Sequence, residues 1–164
     1  MLILYPLIQA RNIGSGLLNR RYNGRLTYAP PPIPNDIRAL ARFCADHMRW
    51  TRDPLRGYLD HIQPLAHMNW QLLKTGIIRG DCDDLATWIG YMLKNMQVST
   101  VYRCNIVKHR HVLCIFYDEE LGYWRYFSNR ALKSGLFTSS RAVVNDWCTR
   151  NKKSKTRMYY NEPL

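Results

Sequence analysis

The hydrophobic positions of the chain follow one period up to residue 95 and another after it. In the first part, apolar side chains recur every three or four residues, as on one face of an α-helix. This spacing begins at Ile37, after a polar Asn-Asp pair that suits a helix cap, and continues over residues 55–75 with a break near Pro64. The clearest helix follows Asp83, and its apolar stripe is Leu85, Trp88, Ile89, Met92 and Leu93.

After residue 95 the chain turns to β-branched and aromatic residues, which predicts strands. The three predicted strands are residues 98–107, 111–117 and 123–127. The polar, glycine-containing stretch 118–122 predicts a hairpin loop between the last two strands. Residues 141–148 predict a short helix. Helices followed by antiparallel strands indicate the α+β fold class.

The chain of 164 residues fits one domain with additions at its two ends. Residues 1–34 predict an extended, basic, Pro-rich arm, since four prolines lie between positions 30 and 34. Residues 35–148 predict the folded domain, and residues 149–164 predict a basic C-terminal tail.

Basic residues exceed acidic ones by a wide margin. There are 24 Lys and Arg against 12 Asp and Glu, a formal net charge of +12. The excess lies at the ends, with four arginines and no acid in residues 1–30, and six cations against two acids in residues 141–164. Such termini favour an anionic partner such as nucleic acid, a membrane surface or an acidic protein, with loose counterion binding as the alternative. No known nucleic-acid-binding motif accompanies the charge.

Membrane insertion and secretion are not expected from the sequence. No apolar run approaches the roughly 18 residues that a membrane-spanning helix needs. Residues 1–8 are apolar but lack the basic start of a secretory signal, so we expect a cytoplasmic or virion-associated location. The five cysteines are odd in number and form no Cys-x-x-Cys motif, so they do not predict a disulfide framework. This usage is typical of a reducing compartment.

Cys82 differs from the other cysteines because it opens the predicted helix, whereas Cys104 and Cys114 lie in apolar strands and suit the core. The unpaired N–H groups at a helix N-terminus lower the pKa of a thiol and favour thiolate. Neighbouring carboxylates oppose this effect, and they belong to Asp81, Asp83 and Asp84. A nucleophilic Cys82 therefore needs an imidazolium partner.

His111 is the predicted base, with His109 as the second candidate. Both precede an apolar strand, on the same face if each lies in it, because strand side chains alternate. A base at the edge of a rigid sheet holds a Cys–His pair in register. Amphipathic surface positions are predicted for the other three histidines, which are His47, His61 and His67.

Asn129 is the predicted third group, which would orient the imidazole of His111. If residues 118–122 form the loop, Tyr117 opposes Tyr123, and by counting outward His111 opposes Asn129. A shift of one residue would place Ser128 there instead, and the sequence leaves both registers open. Asn suits the orienting role better than Ser.

Metal binding is the alternative use of these residues. Cys82, His109, His111 and Cys114 could in principle hold zinc, but they lack the paired spacing of structural zinc ligands. The acids of residues 81–84 could hold a cation, although such residues more often cap a helix.

The string Gly80-Asp81-Cys82-Asp83-Asp84-Leu85-Ala86, with His111 on an apolar strand and a polar residue after an aromatic strand, resembles the transglutaminase-like cysteine protein superfamily. The lead-in Met48-Arg49-Trp50-Thr51-Arg52-Asp53-Pro54 is similar to its bacterial and phage cysteine peptidases. The resemblance covers roughly residues 36–131. It implies a papain-like core in which Cys82, His111 and Asn129 act together. The family usually has Asp followed by Pro at the third position, where this chain has Ser128-Asn129-Arg130.

The resemblance implies a cysteine hydrolase or transferase that acts on an amide or isopeptide bond of a protein or peptide through a thioester. No cofactor is required for this chemistry. The alternative is a non-enzymatic structural or binding protein with the same fold, which would use its arm and basic tail to join a larger assembly such as a phage virion. Cleavage of peptidoglycan amides also suits the chemistry, but the sequence shows no export signal.

Overall fold

A computed structural model describes residues 34–52 and 62–164 of the chain. The predicted arm lies outside the described residues except for Pro34, as do His61 and part of the helix expected over residues 55–75. None of the helices in the described part of the chain is long and apolar enough to cross a membrane.

Four helices are present in this part of the chain, and they are α1 (Ile37–His47), α2 (Leu65–Thr75), α3 (Cys82–Asn95) and α4 (Ser140–Arg150). Each of the predicted helical stretches coincides with one of them, and α4 extends beyond the predicted residues 141–148 at both ends. The Asp36 carboxylate caps α1 by accepting a hydrogen bond of 2.7 Å from the Ala39 N–H, as the polar pair predicts. Gly76 ends α2 with a left-handed backbone, φ +70°, which glycine adopts without a steric penalty.

Two three-residue strands, β1 (Met48–Trp50) and β2 (Ile78–Gly80), form a parallel pair that the sequence does not predict. Their segments are too short to show a period, and they pair across 30 residues of chain. The Thr51 N–H donates to the Gly80 carbonyl at 2.8 Å and extends the pairing. This pair fixes the chain where it enters α3.

The main sheet has five antiparallel strands in the order β6-β5-β4-β3-β7. The strands are β3 (Val101–Ile106), β4 (His111–Asp118), β5 (Tyr123–Ser128), β6 (Ala131–Leu132) and β7 (Tyr159–Pro163). The predicted α+β class is therefore confirmed. The tail expected over residues 149–164 contributes β7, which pairs with β3 at the edge of the sheet.

The sheet separates two apolar clusters. Helices α1, α2 and α3 pack on one face, which we call the α3 face, and its strand residues are Val101, Val112, Cys114, Phe116 and Phe127. Helix α4 covers the opposite α4 face, whose strand residues include Cys104, Ile106, Leu113, Ile115 and Tyr126. Cys104 and Cys114 are both buried core residues, as predicted.

The hairpin register differs by one residue from the predicted one, and His111 does not pair with Asn129. Asp118 pairs with Tyr123, and Leu113 pairs with Ser128. Asp118 joins the strand because it organises the loop: its carboxylate accepts from Leu121 N–H at 3.3 Å and pairs with Arg125 at 2.7 Å. The loop therefore has four residues rather than five.

Candidate active site

The start of α3 is built on a close contact between Gly80 and Asp84. A Cβ atom at Gly80 would lie 2.6 Å from the Cβ of Asp84, closer than real Cβ contacts allow. Asp81 caps the helix by accepting from the Asp83 N–H at 3.2 Å, and Asp84 accepts from the Asp81 N–H at 3.2 Å. This reciprocal capping box accounts for the acids around Cys82.

Asp84 is fully buried and holds the loop before α2 against the start of α3. Its carboxylate accepts from both the backbone N–H and the side-chain amide of Gln63, each at 2.6 Å. Burial raises the pKa of Asp84 to about 7, although the hydrogen bonds from Gln63 favour the charged form. The sequence pattern gives no signal for Gln63, which lies in an irregular segment before Pro64.

Cys82 is the first residue of α3, as predicted, and it is partly exposed while the four other cysteines are buried. Burial raises the pKa of its thiol to about 12, and the charges of Asp81 and Asp83 act in the same direction. The backbone of Val112 interacts with the thiol and acts in the opposite direction. Burial therefore outweighs the helix N-terminus, and the thiol is protonated at neutral pH.

The imidazole of His111 lies on the α4 face. Its Nε2 atom is 3.1 Å from the Ser128 Oγ, and its ring stacks on Trp147 with a centroid distance of 4.7 Å and an interplanar angle of 13°. Burial lowers the pKa of His111 to about 4, so the ring is neutral at pH 7. Trp147 belongs to the predicted helix 141–148, but nothing in the sequence connects it with His111.

The Cys82 thiol thus lies next to the strand that begins with His111, but the two side chains are on different faces of the sheet. The Cys82 thiol packs with the α3-face cluster and meets the backbone of Val112, the residue after His111. Successive side chains of a strand point to opposite faces, so Val112 and His111 diverge. The structure brings the two backbones together and keeps the thiol and the imidazole apart.

Asn129 lies in the turn between β5 and β6, where its backbone has a φ of +51°. Asn is among the residues that best tolerate this left-handed region. Its Oδ1 atom is buried and has no hydrogen-bond partner among the described residues. The next residue, Arg130, anchors the turn to α1 by donating to the Ala45 carbonyl at 2.9 Å. Ser128, and not Asn129, contacts His111.

His109 lies outside the strand, in a 3₁₀ turn over Val107–His109. Its Nε2 atom is 2.9 Å from the carbonyl oxygen of Ser154, and its ring lies 5.8 Å from that of Trp147. The residues of the zinc alternative are divided between the faces, since Cys82 and Cys114 pack on the α3 face. His47 is partly buried, with its Nδ1 2.8 Å from the Gly76 carbonyl oxygen.

Three carboxylates near Cys82 come close enough to share a cation. Oxygens of Asp81, Asp83 and Asp84 lie within 4.8 Å of one another. The hydrogen bonds of the helix start account for this arrangement, since Asp83 also accepts from the Asp84 N–H at 2.9 Å.

A surface cavity of about 580 Å³ lies at the opposite end of α3. Its lining includes Met96, Gln97 and Val98 after the helix and Glu119 and Glu120 in the hairpin loop. It is therefore not part of the Cys82 site.

Comparison with known proteins leaves the family of this chain open. No protein-family model matches it, and no curated protein matches it. The resemblance to transglutaminase-like proteins accordingly rests on the sequence motifs of the chain.

Proposed function

We propose that the protein is a transglutaminase-like thiol enzyme that acts on amide bonds, with Cys82 as its nucleophile. The observation that carries this proposal is the contact of the Cys82 thiol with the backbone of Val112, next to His111. A cysteine at the start of a core helix, against the strand that begins with histidine, is how a papain-like site positions its two main groups. The capping box and the Gly80–Asp84 contact hold that cysteine in place.

In the proposed reaction the Cys82 sulfur attacks the carbonyl carbon of an amide while the thiol proton passes to His111. His111 then protonates the leaving amine, the C–N bond breaks and a thioester forms. Water or a second amine next attacks the thioester and gives its proton to His111, which returns it to the Cys82 sulfur. The products are a carboxylic acid or a new amide.

This reaction requires the His111 ring to leave Ser128 and Trp147 and to reach the α3 face. His111 is the first residue of β4, so a rearrangement of His111 need not disrupt the pairing of the rest of the strand. The buried Oδ1 atom of Asn129 has no partner among the described residues, and it supplies an acceptor for an N–H of the shifted ring. The described arrangement is then the resting state, with a protonated thiol and a neutral imidazole.

A binding protein without catalysis is the second candidate, and the separation of Cys82 and His111 on two faces favours it. In that case the Ser128 and Trp147 contacts of His111 are permanent packing contacts. The Cys82 thiol is then a core group, like that of Cys44, whose pKa burial also raises to about 12.

The test uses dimethylcasein as amide donor, with and without dansylcadaverine as acceptor amine. Ammonia release without dansylcadaverine reports deamidation, dansyl incorporation reports transamidation, and mass spectrometry of the casein reports peptide cleavage. We expect at least one activity in the wild type and its loss in Cys82→Ser and His111→Gln. The matched control is Cys148→Ser, a buried cysteine of the α4 face, with folding checked by circular dichroism. Activity that survives Cys82→Ser would show that Cys82 is not the nucleophile, and no activity on any of the three readouts would favour the binding protein.

A further inference from the structure

A strongly basic surface covers the side of the molecule on which α4 packs. It is formed by the turn over residues 107–110, the first turn of α4 and the segment 151–161, and we call it the basic surface. Its exposed cations include Lys108, Arg141, Lys152, Lys153, Lys155 and Arg157.

Two contacts hold the separate segments of the basic surface together. The Val107 N–H donates to the Met158 carbonyl at 3.0 Å, and the Nε2 of His109 lies 2.9 Å from the Ser154 carbonyl oxygen. The segment after α4 therefore runs beside the turn between β3 and β4. Cations that are about 45 residues apart in the sequence share one face as a result.

Acidic groups do not neutralise this surface. The sequence has no Asp or Glu in residues 107–117 or 147–161. The flanking acids are engaged elsewhere, since Asp146 pairs with Arg150 and Glu162 pairs with Arg103. Within the described part of the chain, none of the six cations forms an ion pair. Their charge is therefore available to an anionic partner.

A cavity of about 370 Å³ opens in the basic surface at the first turn of α4. Arg141 and Arg157 line it from two different segments, and the first turn of α4 carries no acid. Asn161 also lines it. Two guanidinium groups beside a helix N-terminus suit a phosphate group.

An aromatic ring accompanies the cations. Tyr159 lines the cavity, is partly exposed and packs on the α4 face. Tyr160 pairs with Asn105, so its side chain points to the other face of the sheet. Proteins that bind single-stranded nucleic acid present aromatic rings between cations, and the bases stack on these rings.

We propose that the basic surface binds single-stranded nucleic acid. One phosphate occupies the cavity between Arg141 and Arg157, neighbouring phosphates follow the lysines of segment 151–155, and a base stacks on Tyr159. This site lies on the α4 side of the sheet and does not use the Cys82 thiol. The binding proposal is therefore independent of the proposed enzymatic activity.

The experiment measures fluorescence anisotropy of a labelled oligothymidylate of about 20 nucleotides, titrated with the full chain at several salt concentrations. We expect binding that weakens with salt. The double variant Arg141→Gln/Arg157→Gln should weaken binding about tenfold and lower the salt slope by about 0.7, because the two arginines share one phosphate. The matched control, Arg42→Gln/Lys74→Gln, removes two exposed cations from α1 and α2 and should leave both values unchanged.

Further probes decide between the partners. Tyr159→Leu, which removes the ring but keeps an apolar side chain on the α4 face, should weaken oligothymidylate binding on the order of tenfold and leave the weaker binding of a duplex of equal length unchanged. No binding at about 50 mM salt, or equal weakening by the control pair, would overturn the proposal. Equal affinity for polyglutamate or for phosphatidylglycerol vesicles would also overturn it and assign the surface to an acidic protein or a lipid surface.

Discussion

The Nε2 atom of His111 lies 3.1 Å from the Oγ atom of Ser128, on the α4 face of the sheet. Ser128 pairs with Leu113, so this contact runs diagonally between β4 and β5. Cys82 packs on the other face, against the residue that follows His111. In the proposed enzyme, the release of His111 from Ser128 and Trp147 therefore precedes the formation of a reactive thiolate.

The first prediction concerns the reactivity of the thiols. Cys82 should be alkylated by iodoacetamide before the other cysteines, because it is partly exposed and they are buried. Its rate should rise about tenfold per pH unit from pH 6 to 9, since burial raises the pKa of the thiol to about 12. Mass spectrometry of the alkylated peptides measures the rate at each cysteine. Fast, pH-independent alkylation at pH 6 would instead mean that an imidazolium already lies beside Cys82.

The second prediction separates Ser128 from Asn129. Ser128→Ala should remove the hydrogen-bond partner of the buried His111 ring and cost about 1–3 kcal/mol in unfolding free energy. Asn129→Gly keeps the left-handed backbone and should change stability by less than about 0.5 kcal/mol. Urea denaturation measures both variants, and NMR of the His111 ring should show a change only in Ser128→Ala. If the NMR signal of the His111 ring changed only in Asn129→Gly, the result would support the sequence-predicted pairing of His111 with Asn129.

The third prediction concerns acid. Burial lowers the pKa of His111 to about 4, below its usual value of 6.5. Between these values the unfolded chain binds a proton that the folded one does not, so this contribution to stability is present above pH 6.5 and is lost as pH falls to 4. Relative to His111→Gln, the wild type should lose up to about 1.4 kcal/mol per pH unit in this window. Urea denaturation of both proteins at pH 7, 6 and 5 tests this. The prediction is wrong if the unfolding free energies of the two proteins change equally with pH.

The fourth prediction concerns the start of α3. Gly80→Ala should destabilise the protein by about 1–3 kcal/mol, because the new methyl group would collide with Asp84 Cβ. Arg79→Ala, at an exposed neighbouring position, should change stability by less than about 0.5 kcal/mol. Thermal and urea unfolding measure both variants. Equal stability of Gly80→Ala and the wild type would show that α3 can start without this contact.

The fifth prediction concerns the buried carboxyl of Asp84, whose pKa burial raises to about 7. Between pH 4 and 7 the folded chain holds a proton that the unfolded one has lost, so this contribution to stability is present at pH 4 and is lost as pH rises through 7. Asp84→Asn should remove this trend. It should also cost about 1–3 kcal/mol at pH 7, because an amide NH₂ would face the donors of Gln63 or Asp81. Denaturation curves of both proteins at pH 5 and 8 provide the test.

The sequence by itself determined the elements whose residues repeat locally. The stripe from Leu85 to Leu93 predicts α3, and the polar Asn-Asp pair predicts the cap of α1, because periodicity and capping depend on neighbours within a few residues. The α+β class and the place of Cys82 at a helix start follow from the same local signals. The pairs β1–β2 and β3–β7 do not, since their partners lie far apart in the chain.

Only the tertiary structure decided the partners of the site residues. One loop residue set the register, because the Asp118 carboxylate organises the hairpin and moves every pair by one position. The face of His111 depends on the strand pleat and on Trp147, a residue 36 positions away that covers the ring. The protonation of Cys82 depends on how deeply α3 is packed, and burial there exceeds the effect of the helix N-terminus that the sequence makes visible.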